Sequence, residues 1–346
     1  MGGRAGGEGF NVAVVGATGL VGETMITVLE ERDFPVRQLF ALASERSLGK
    51  SVTFRGKSHD VGNLADFDFS QADIGLFSPG AEVSREYAPR AAAAGCVVID
   101  NTSEFRYLED VPLVVPEVNP HRIAQYGNRG IIANPNCSTI QMLVVLKPLH
   151  DAAGIRHINV ATYQSVSGAG REAISELATQ SAALLSGRGP VKAGVIPAPI
   201  AFNCVPQIDR FEDNGYTREE MKMVWETRKI LESPDIGVNP TAVRVPVFFG
   251  HSEAVHLTTH RELTAAAARK ILAQAPGVTV MDERRPGGYP TAAVEAANRD
   301  TVYVGRIRDD MSSEHGLDLW IVADNVRKGA ATNSVQIAEI LARDYL

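Results

Sequence analysis

Asn134-Pro135-Asn136-Cys137-Ser138-Thr139 sets a single cysteine among polar, hydrogen-bonding residues. Upstream, Gly130-Ile131-Ile132-Ala133 reads as a short buried strand that Pro135 stops. Downstream, Ile140, Met142, Leu143, Val145, Leu146 and Leu149 recur at helical spacing. Cys137 is then expected at the start of a helix, where unpaired N–H groups and the helix dipole favour an anion and so a thiolate near neutral pH. The opposing reading is a buried, inert thiol, the commoner fate of a cysteine outside a disulfide. The neighbouring residues leave both open.

A thiol nucleophile calls for a proton-handling partner, usually histidine. Of the eight histidines, His251 in Gly250-His251-Ser252-Glu253 is the best placed, because the glycine can set the ring in a cleft after the strand expected at 241–249. His59, His121, His150, His157 and His315 are expected to face solvent or cap helices, and His256 and His260 to be structural. A zinc site from His251, His256 and His260 is not expected, because no HExxH helix or cysteine pair supports one, and no metal is predicted.

Other polar residues stand near expected element ends. Arg244, on an otherwise apolar strand, suggests a bidentate carboxylate partner or a structural ion pair. Arg106, in Thr102-Ser103-Glu104-Phe105-Arg106, follows the carboxyl end of a parallel strand, where it binds an anion or faces solvent. Gln164 lies in Tyr163-Gln164-Ser165-Val166-Ser167-Gly168-Ala169-Gly170, an amide beside a turn of small residues. Glu219, Glu220 and Lys222 follow Thr217 and read locally as an ordinary solvated helix face.

A second kind of chemistry is signalled near the N-terminus. Gly16-Ala17-Thr18-Gly19-Leu20-Val21-Gly22 falls between a strand and a helix, where glycines let the backbone approach a pyrophosphate and the helix start supplies N–H donors. The spacing is GxxGxxG and not GxGxxG, and a plain tight turn remains the alternative. At the end of the second strand, Ser44-Glu45-Arg46-Ser47 offers a guanidinium and hydroxyls to a ribose 2′-phosphate, which favours NADP over NAD despite Glu45. A nicotinamide loop together with a helix-start thiol points to oxidation of an aldehyde or its reverse. Hydride transfer then interconverts a thiohemiacetal and a thioester.

The elements that must position these groups are legible in the apolar pattern. Strands at 10–15, 39–43, 73–77 and 96–100 alternate with helices at 19–31 and 81–94, and their continuous apolar runs imply a parallel sheet covered on both faces. From about residue 155, alternating segments at 157–165, 241–249, 251–261, 301–308 and 317–323 suggest a mainly antiparallel sheet. Helices are expected at 171–185, 217–231, 265–274 and 329–345, with a Gly- and Pro-rich excursion at 186–203. The fold class read from this pattern is α/β, an α/β domain followed by an α+β domain, after a flexible leader at 1–9.

The 346 residues, 45% hydrophobic, are enough for two cores, and the formal charge of -7 with no dense basic cluster excludes a nucleic-acid binder. Cys96, Cys137 and Cys204 form no disulfide framework, which fits a reducing cytoplasm. No apolar run is long enough for a membrane span.

The strings GATGLVG, SERSLG, DNTSEFR, NPNCST, YQSVSGAGREA, AFNCVPQID, REEMK, ETRKIL, RVPVFFGHSE and DNVRKGAATNSVQIAE, in this order and spacing, resemble the bacterial aspartate-semialdehyde dehydrogenase family over nearly the whole chain. The resemblance implies NADP-dependent reductive dephosphorylation of L-aspartyl-4-phosphate to L-aspartate-4-semialdehyde and inorganic phosphate, a step toward lysine, methionine and threonine. It implies Cys137 as the acyl-carrying nucleophile, His251 as acid/base and Gln164 as the group orienting the substrate. Arg244 then holds the α-carboxylate and Glu219 the α-amine, with Arg106, Lys222 and Asn136 at the phosphate. Residues Thr18 to Val21 belong under the NADPH pyrophosphate, Arg46 and Ser47 by the 2′-phosphate, and Ser167, Gly168 and Asn325 at the nicotinamide. The fold it implies is a Rossmann-like NADP-binding domain at 10–136 with 325–346 plus an α+β catalytic and dimerisation domain with a mainly antiparallel sheet at 137–324, and a homodimer or homotetramer built on that second domain.

Cys204 departs from the family, whose members usually carry an aliphatic residue there, and burial is expected for it. The competing readings are another acyl-phosphate reductase, such as N-acetyl-γ-glutamyl-phosphate reductase, and a non-enzymatic NADP-binding protein. The first is disfavoured because an acetylated amine needs no carboxylate, the second because Cys137, Gln164 and His251 occur together.

Overall fold

The computed structural model describes residues 9–346, so all but the last residue of the expected leader at 1–9 lies outside the described residues. The chain divides into two compact units, one of residues up to 135 with 330–346, the other of residues 136–329.

The first unit opens with strand β1 (Phe10–Val15), helix α1 (Leu20–Glu31) and strand β2 (Val36–Ala43), as the sequence pattern predicts. A hairpin of β3 (Ser51–Phe54) and β4 (Lys57–Asp60) and a short β5 (Gly62–Asn63) follow, and none of the three was expected. Strands β6 (Ile74–Phe77), β7 (Val97–Asp100) and β8 (Ile131–Ala133) and helix α2 (Ala81–Ala93) complete the segment. The sheet order is β5-β2-β1-β6-β7-β8 with every pairing parallel. Val12, Ala13, Val14 and Val15 are all fully buried, because both faces of the central strand are covered; hence the unbroken apolar run.

The second unit begins with α3 (Cys137–Ala153) and β9 (Ile155–Gln164), followed by α4 (Arg171–Leu185), α5 (Arg218–Ile230) and β10 (Gly237–Arg244). Then come β11 (His251–Thr259), α6 (Ala265–Leu272), β12 (Val278–Val280), β13 (Val302–Asp309) and β14 (Gly316–Ala323). Their order is β10-β9-β11-β14-β13-β12. The three central pairings are antiparallel, but β10 joins β9, and β12 joins β13, in parallel. The sheet is thus mixed. The chain between β9 and β10 holds two helices, long enough to return it to the starting end for a parallel pairing. Segment 186–203 contains no regular element.

Strand β10 stops at Arg244 and does not run on to residue 249 as expected; Pro246 has no N–H to continue a ladder. Helix α3 packs on β9, β11, β13 and β14, covering one face of the sheet. On the other face Tyr163 and Trp320 lie ring to ring and partly exposed. The chain then returns to the first unit with α7 (Thr332–Asp344), whose Val335 and Leu341 share a core with Val12, Val14, Met25 and Leu29.

Candidate active site

Asn136 caps α3. Its Oδ1 accepts the N–H groups of Ser138 at 3.1 Å and Thr139 at 3.2 Å, two donors that a helix start leaves without an intrahelical partner. Cys137 is therefore the first helical residue, as expected, and it is half-buried. The cap is itself held by two carboxylates of α5. Glu226 Oε2 accepts the Asn136 main-chain N–H at 2.6 Å, and Glu219 Oε1 accepts its Nδ2 at 2.8 Å. On the other side the backbone of Gly329 presses close, since a Cβ there would lie 2.7 Å from Cys137 Cβ.

Glu219 is the hub of the polar cluster. Besides Asn136 it accepts Gln164 Nε2 at 3.1 Å and Lys222 Nζ at 3.0 Å, and Lys222 also reaches Asp209 at 3.0 Å. Burial works against its charge, but the Lys222 ammonium, the hydrogen bonds from Asn136 and Lys222 and the Arg244 guanidinium outweigh that and hold the carboxyl down to about 2. The solvated face that Glu219, Glu220 and Lys222 present in the local sequence is thus corrected: Glu219 and Glu220 are buried and Lys222 is partly so. Glu220 closes a capping box with Thr217 and accepts Ala242 N–H from β10, which ties helix to strand.

Arg244, at the end of β10, donates Nη1 to the Ser165 carbonyl at 2.7 Å and interacts electrostatically with Glu219 and Cys137. His251, the first residue of β11, is fully buried, with Nδ1 facing Ser165 N–H and Oγ, each at 3.1 Å. Burial and then Arg244 press the imidazole down to about 3, against Glu219 and the Gly250 carbonyl. Gly168 sits beside both, because a Cβ there would meet Arg244 Nη1 at 2.9 Å and His251 Nε2 at 3.3 Å. Asn325 Oδ1 accepts from Gly250 N–H at 3.0 Å and from the hydroxyls of Ser165 and Ser167.

One connected cluster of the second unit thus contains Asn136, Cys137, Gln164, Ser167, Gly168, Glu219, Lys222, Arg244, His251 and Asn325. Residues the sequence reading did not single out are Glu226, Ser165 and Gly329, whose roles are contacts across the fold. Glu253, two residues after His251, is fully buried and neither carboxyl oxygen has a hydrogen-bond partner; burial pushes its pKa well up, and Gln141 opposes this only in part. Cys204 is exposed, not buried, because AFNCVPQ lies in irregular chain that only touches β10 through a bridge from Val205 to Arg244. His256 lies between Asp318 at 3.2 Å and Asp310 at 3.6 Å, the single cluster of metal-ligand type among the described residues, and the imidazole with Arg308 already faces those carboxylates.

The remaining site residues belong to the first unit. Gly16 follows β1 with φ of +84°, and a Cβ on it would meet Ser78 O at 2.7 Å; a Cβ on Gly22 would lie 2.2 Å from Gly16 O. The loop from Gly16 through Thr18, Gly19, Leu20 and Val21 to Gly22 therefore closes tightly at the start of α1. It does so where strand order reverses between β1 and β6, the usual crevice for a dinucleotide in such sheets. Thr18 Oγ1 lies 3.1 Å from Ser47 Oγ, and Arg46, between Ser44 and Ser47 in a short turn after β2, is exposed. The crowded glycines and the helix start fit a nicotinamide dinucleotide. Arg106 Nη2 donates to the Asn101 carbonyl at 2.9 Å.

Comparison with known proteins decides the family. Residues 11–126 match the semialdehyde dehydrogenase NAD binding domain and residues 146–328 the semialdehyde dehydrogenase dimerisation domain. The chain is 65% identical to an aspartate-semialdehyde dehydrogenase of Legionella pneumophila, over 97% of each chain. It belongs to the aspartate-semialdehyde dehydrogenase family. The crystal structure of aspartate semialdehyde dehydrogenase II complexed with ASA from Vibrio cholerae superposes with a TM-score of 0.96 at 59% identity, covering 98% of this chain and all of that one. A Candida albicans aspartate semialdehyde dehydrogenase with NADP gives 0.74 at 26% identity, over 96% and 98%. As a member of this oxidoreductase family the chain has an NAD(P)-binding domain and a dimerisation domain. Among the described residues no helix is long and apolar enough to cross a membrane.

Proposed function

We propose that the protein reduces L-aspartyl-4-phosphate to L-aspartate-4-semialdehyde with release of inorganic phosphate, using NADPH, as a cytoplasmic homodimer. The observation that carries this reading is the set of groups around Cys137: a helix-start thiol with a buried carboxylate, a guanidinium, an amide and an imidazole in one cluster. The substrate has an α-carboxylate, an α-ammonium and a phosphate. Arg244 complements the first, Glu219, held ionised, the second, and Lys222 and Arg106 the third, with Asn136 fixing the thiol helix. Cys137 attacks the acyl carbon and carries the aspartyl group as a thioester, Gln164 orients the substrate, and His251 is the acid/base. A bound reduced nicotinamide dinucleotide supplies the hydride. Gly16, Thr18, Gly19, Leu20, Val21 and Gly22 are the residues to hold its pyrophosphate, and Ser44, Arg46 and Ser47 its 2′-phosphate. Ser167, Gly168 and Asn325 serve the nicotinamide.

The test is substrate discrimination. Purified protein should oxidise aspartate semialdehyde only when phosphate or arsenate is present, with NADP far better than NAD. It should reduce aspartyl phosphate and leave N-acetylglutamyl phosphate untouched. Equal turnover of the acetylated substrate would assign Glu219 another role.

A further inference from the structure

We propose that Glu253, as a neutral acid, pairs side by side with the amide of Gln141, and that this buried pair holds the Cys137 helix in register with the His251 strand. Both are positioning residues, acting only through the thiol and the imidazole. The proposal rests on the reading of Cys137 and His251 as nucleophile and acid/base, and names what sets their spacing.

Spacing along the chain puts the two pairs on successive rungs. Gln141 lies four residues after Cys137 on α3, one turn and about 6 Å along the helix. Glu253 lies two residues after His251 on β11, on the same face of the strand and about 7 Å along it. Helix α3 packs on β11, so a link between Gln141 and Glu253, one step behind the reacting groups, fixes how helix and strand are offset.

Gln141 Nε2 donates to the His251 main-chain carbonyl at 3.4 Å, and the same amide faces the Glu253 carboxyl. A main-chain carbonyl only accepts, so the amide turns its nitrogen and not its oxygen toward His251. Gln141 Oε1 and both Glu253 carboxyl oxygens are buried without a hydrogen-bond partner. One proton accounts for all three atoms. Ionised, Glu253 would be acceptor-only and could give Gln141 Oε1 nothing. Protonated, it donates its O–H to Gln141 Oε1 while its other oxygen accepts the second Nε2 hydrogen, and the two-point pair satisfies every one of them. Glu253 is fully buried, and the cost of burying its charge outweighs the pull of the Gln141 N–H. A neutral brace also adds no charge beside His251, whose proton affinity burial and Arg244 already set.

Infrared difference spectroscopy of the full-length enzyme, wild type against Glu253→Gln, reads the proton. We expect the carbonyl band of a protonated carboxylic acid at neutral pH, lost in the variant; a carboxylate band in its place overturns the proposal. An amide can form the same two-point pair, so Glu253→Gln should keep kcat within about two-fold of wild type. Glu253→Leu and Gln141→Leu should each lower kcat by about ten-fold or more at unchanged KM for aspartate semialdehyde and phosphate, because only the offset of thiol and imidazole is disturbed. The double variant Gln141→Leu/Glu253→Leu should lose no more than either single one. Losses that multiply in the double variant, a KM that rises in step, or a Glu253→Gln as impaired as Glu253→Leu would each overturn the proposal. The double variant leaves neither partner unpaired and guards against a single variant that does not fold; wild-type kcat in it is equally fatal. Wild type that turns over no aspartate semialdehyde would sink the assigned reaction instead, and the infrared band would still decide the proton on Glu253.

Discussion

The glycine loop of the first unit and the thiol cluster of the second are both built at the start of a helix, and they differ in what does the recognising. In the loop, backbone does the work: Gly16 and Gly19 lie between β1 and α1 and Gly22 in the first turn of α1, and their value is the side chain each lacks. In the cluster the helix start supplies one reactive atom, Cys137, and every group that disciplines it comes from far along the chain. Asn136 is clamped from α5, Arg244 arrives on β10, His251 on β11, and Asn325 follows β14. A phosphate-binding helix start can be made locally because an anion asks only for N–H groups. A covalent site needs charges of both signs at fixed positions, and a single segment cannot supply them.

The two sites should be separable by substitution. Cys137→Ala should cut turnover by about four orders of magnitude or more while NADPH binding, followed by fluorescence titration, persists. Wild-type turnover in that variant would end the thioester mechanism. Gly22→Val is the mirror case: its Cβ would sit 2.2 Å from Gly16 O, so NADPH affinity should fall by about a hundred-fold while aspartyl phosphate still acylates Cys137. Loss of acylation as well would mean that the loop supports the thiol cluster directly.

Smaller effects sharpen the picture within the cluster. Lys222→Ala removes one charge-assisted hydrogen bond to Glu219 and should raise the KM for phosphate by about ten-fold or more; an unchanged KM would take Lys222 out of the anion site. The smallest effect concerns pH. Glu253 keeps its proton in the folded state well above the ordinary 4.5, whereas the unfolded chain releases it there, so its contribution to stability declines as pH rises above 4.5. Glu253→Gln lacks that titration and should melt roughly 2–4 °C above wild type near pH 8, with a smaller difference near pH 5. A gain that did not grow with pH would show that Glu253 is already ionised in the fold.

Much of the frame was legible from one-dimensional pattern. Apolar runs located the parallel strands, polar residues ahead of an apolar helix located Cys137 at N1, and glycine spacing located the dinucleotide loop. Patterns failed where long-range packing overrode them. Glu219 and Glu220 look locally like a wet helix face, yet both are buried, because each has a partner on another element. Cys204 looks like a core residue and is exposed, since the chain around it forms no element that could bury it. The end of β10 at Arg244 was misjudged by running the apolar alternation through Pro246.

The sequence by itself determined the class of chemistry: a thiol at a helix start and a loop for a dinucleotide phosphate are written in contiguous residues, because helix ends and tight turns are made by neighbours. Only the tertiary structure decided how that thiol is served. Glu219 became the anchor that accepts Asn136 and Gln164 from other elements, and His251 turned its Nδ1 to Ser165. Glu226 reached back to the residue before the thiol. Charge state depends on burial and on donors within about 3 Å, and those distances exist only once the strands and helices have packed.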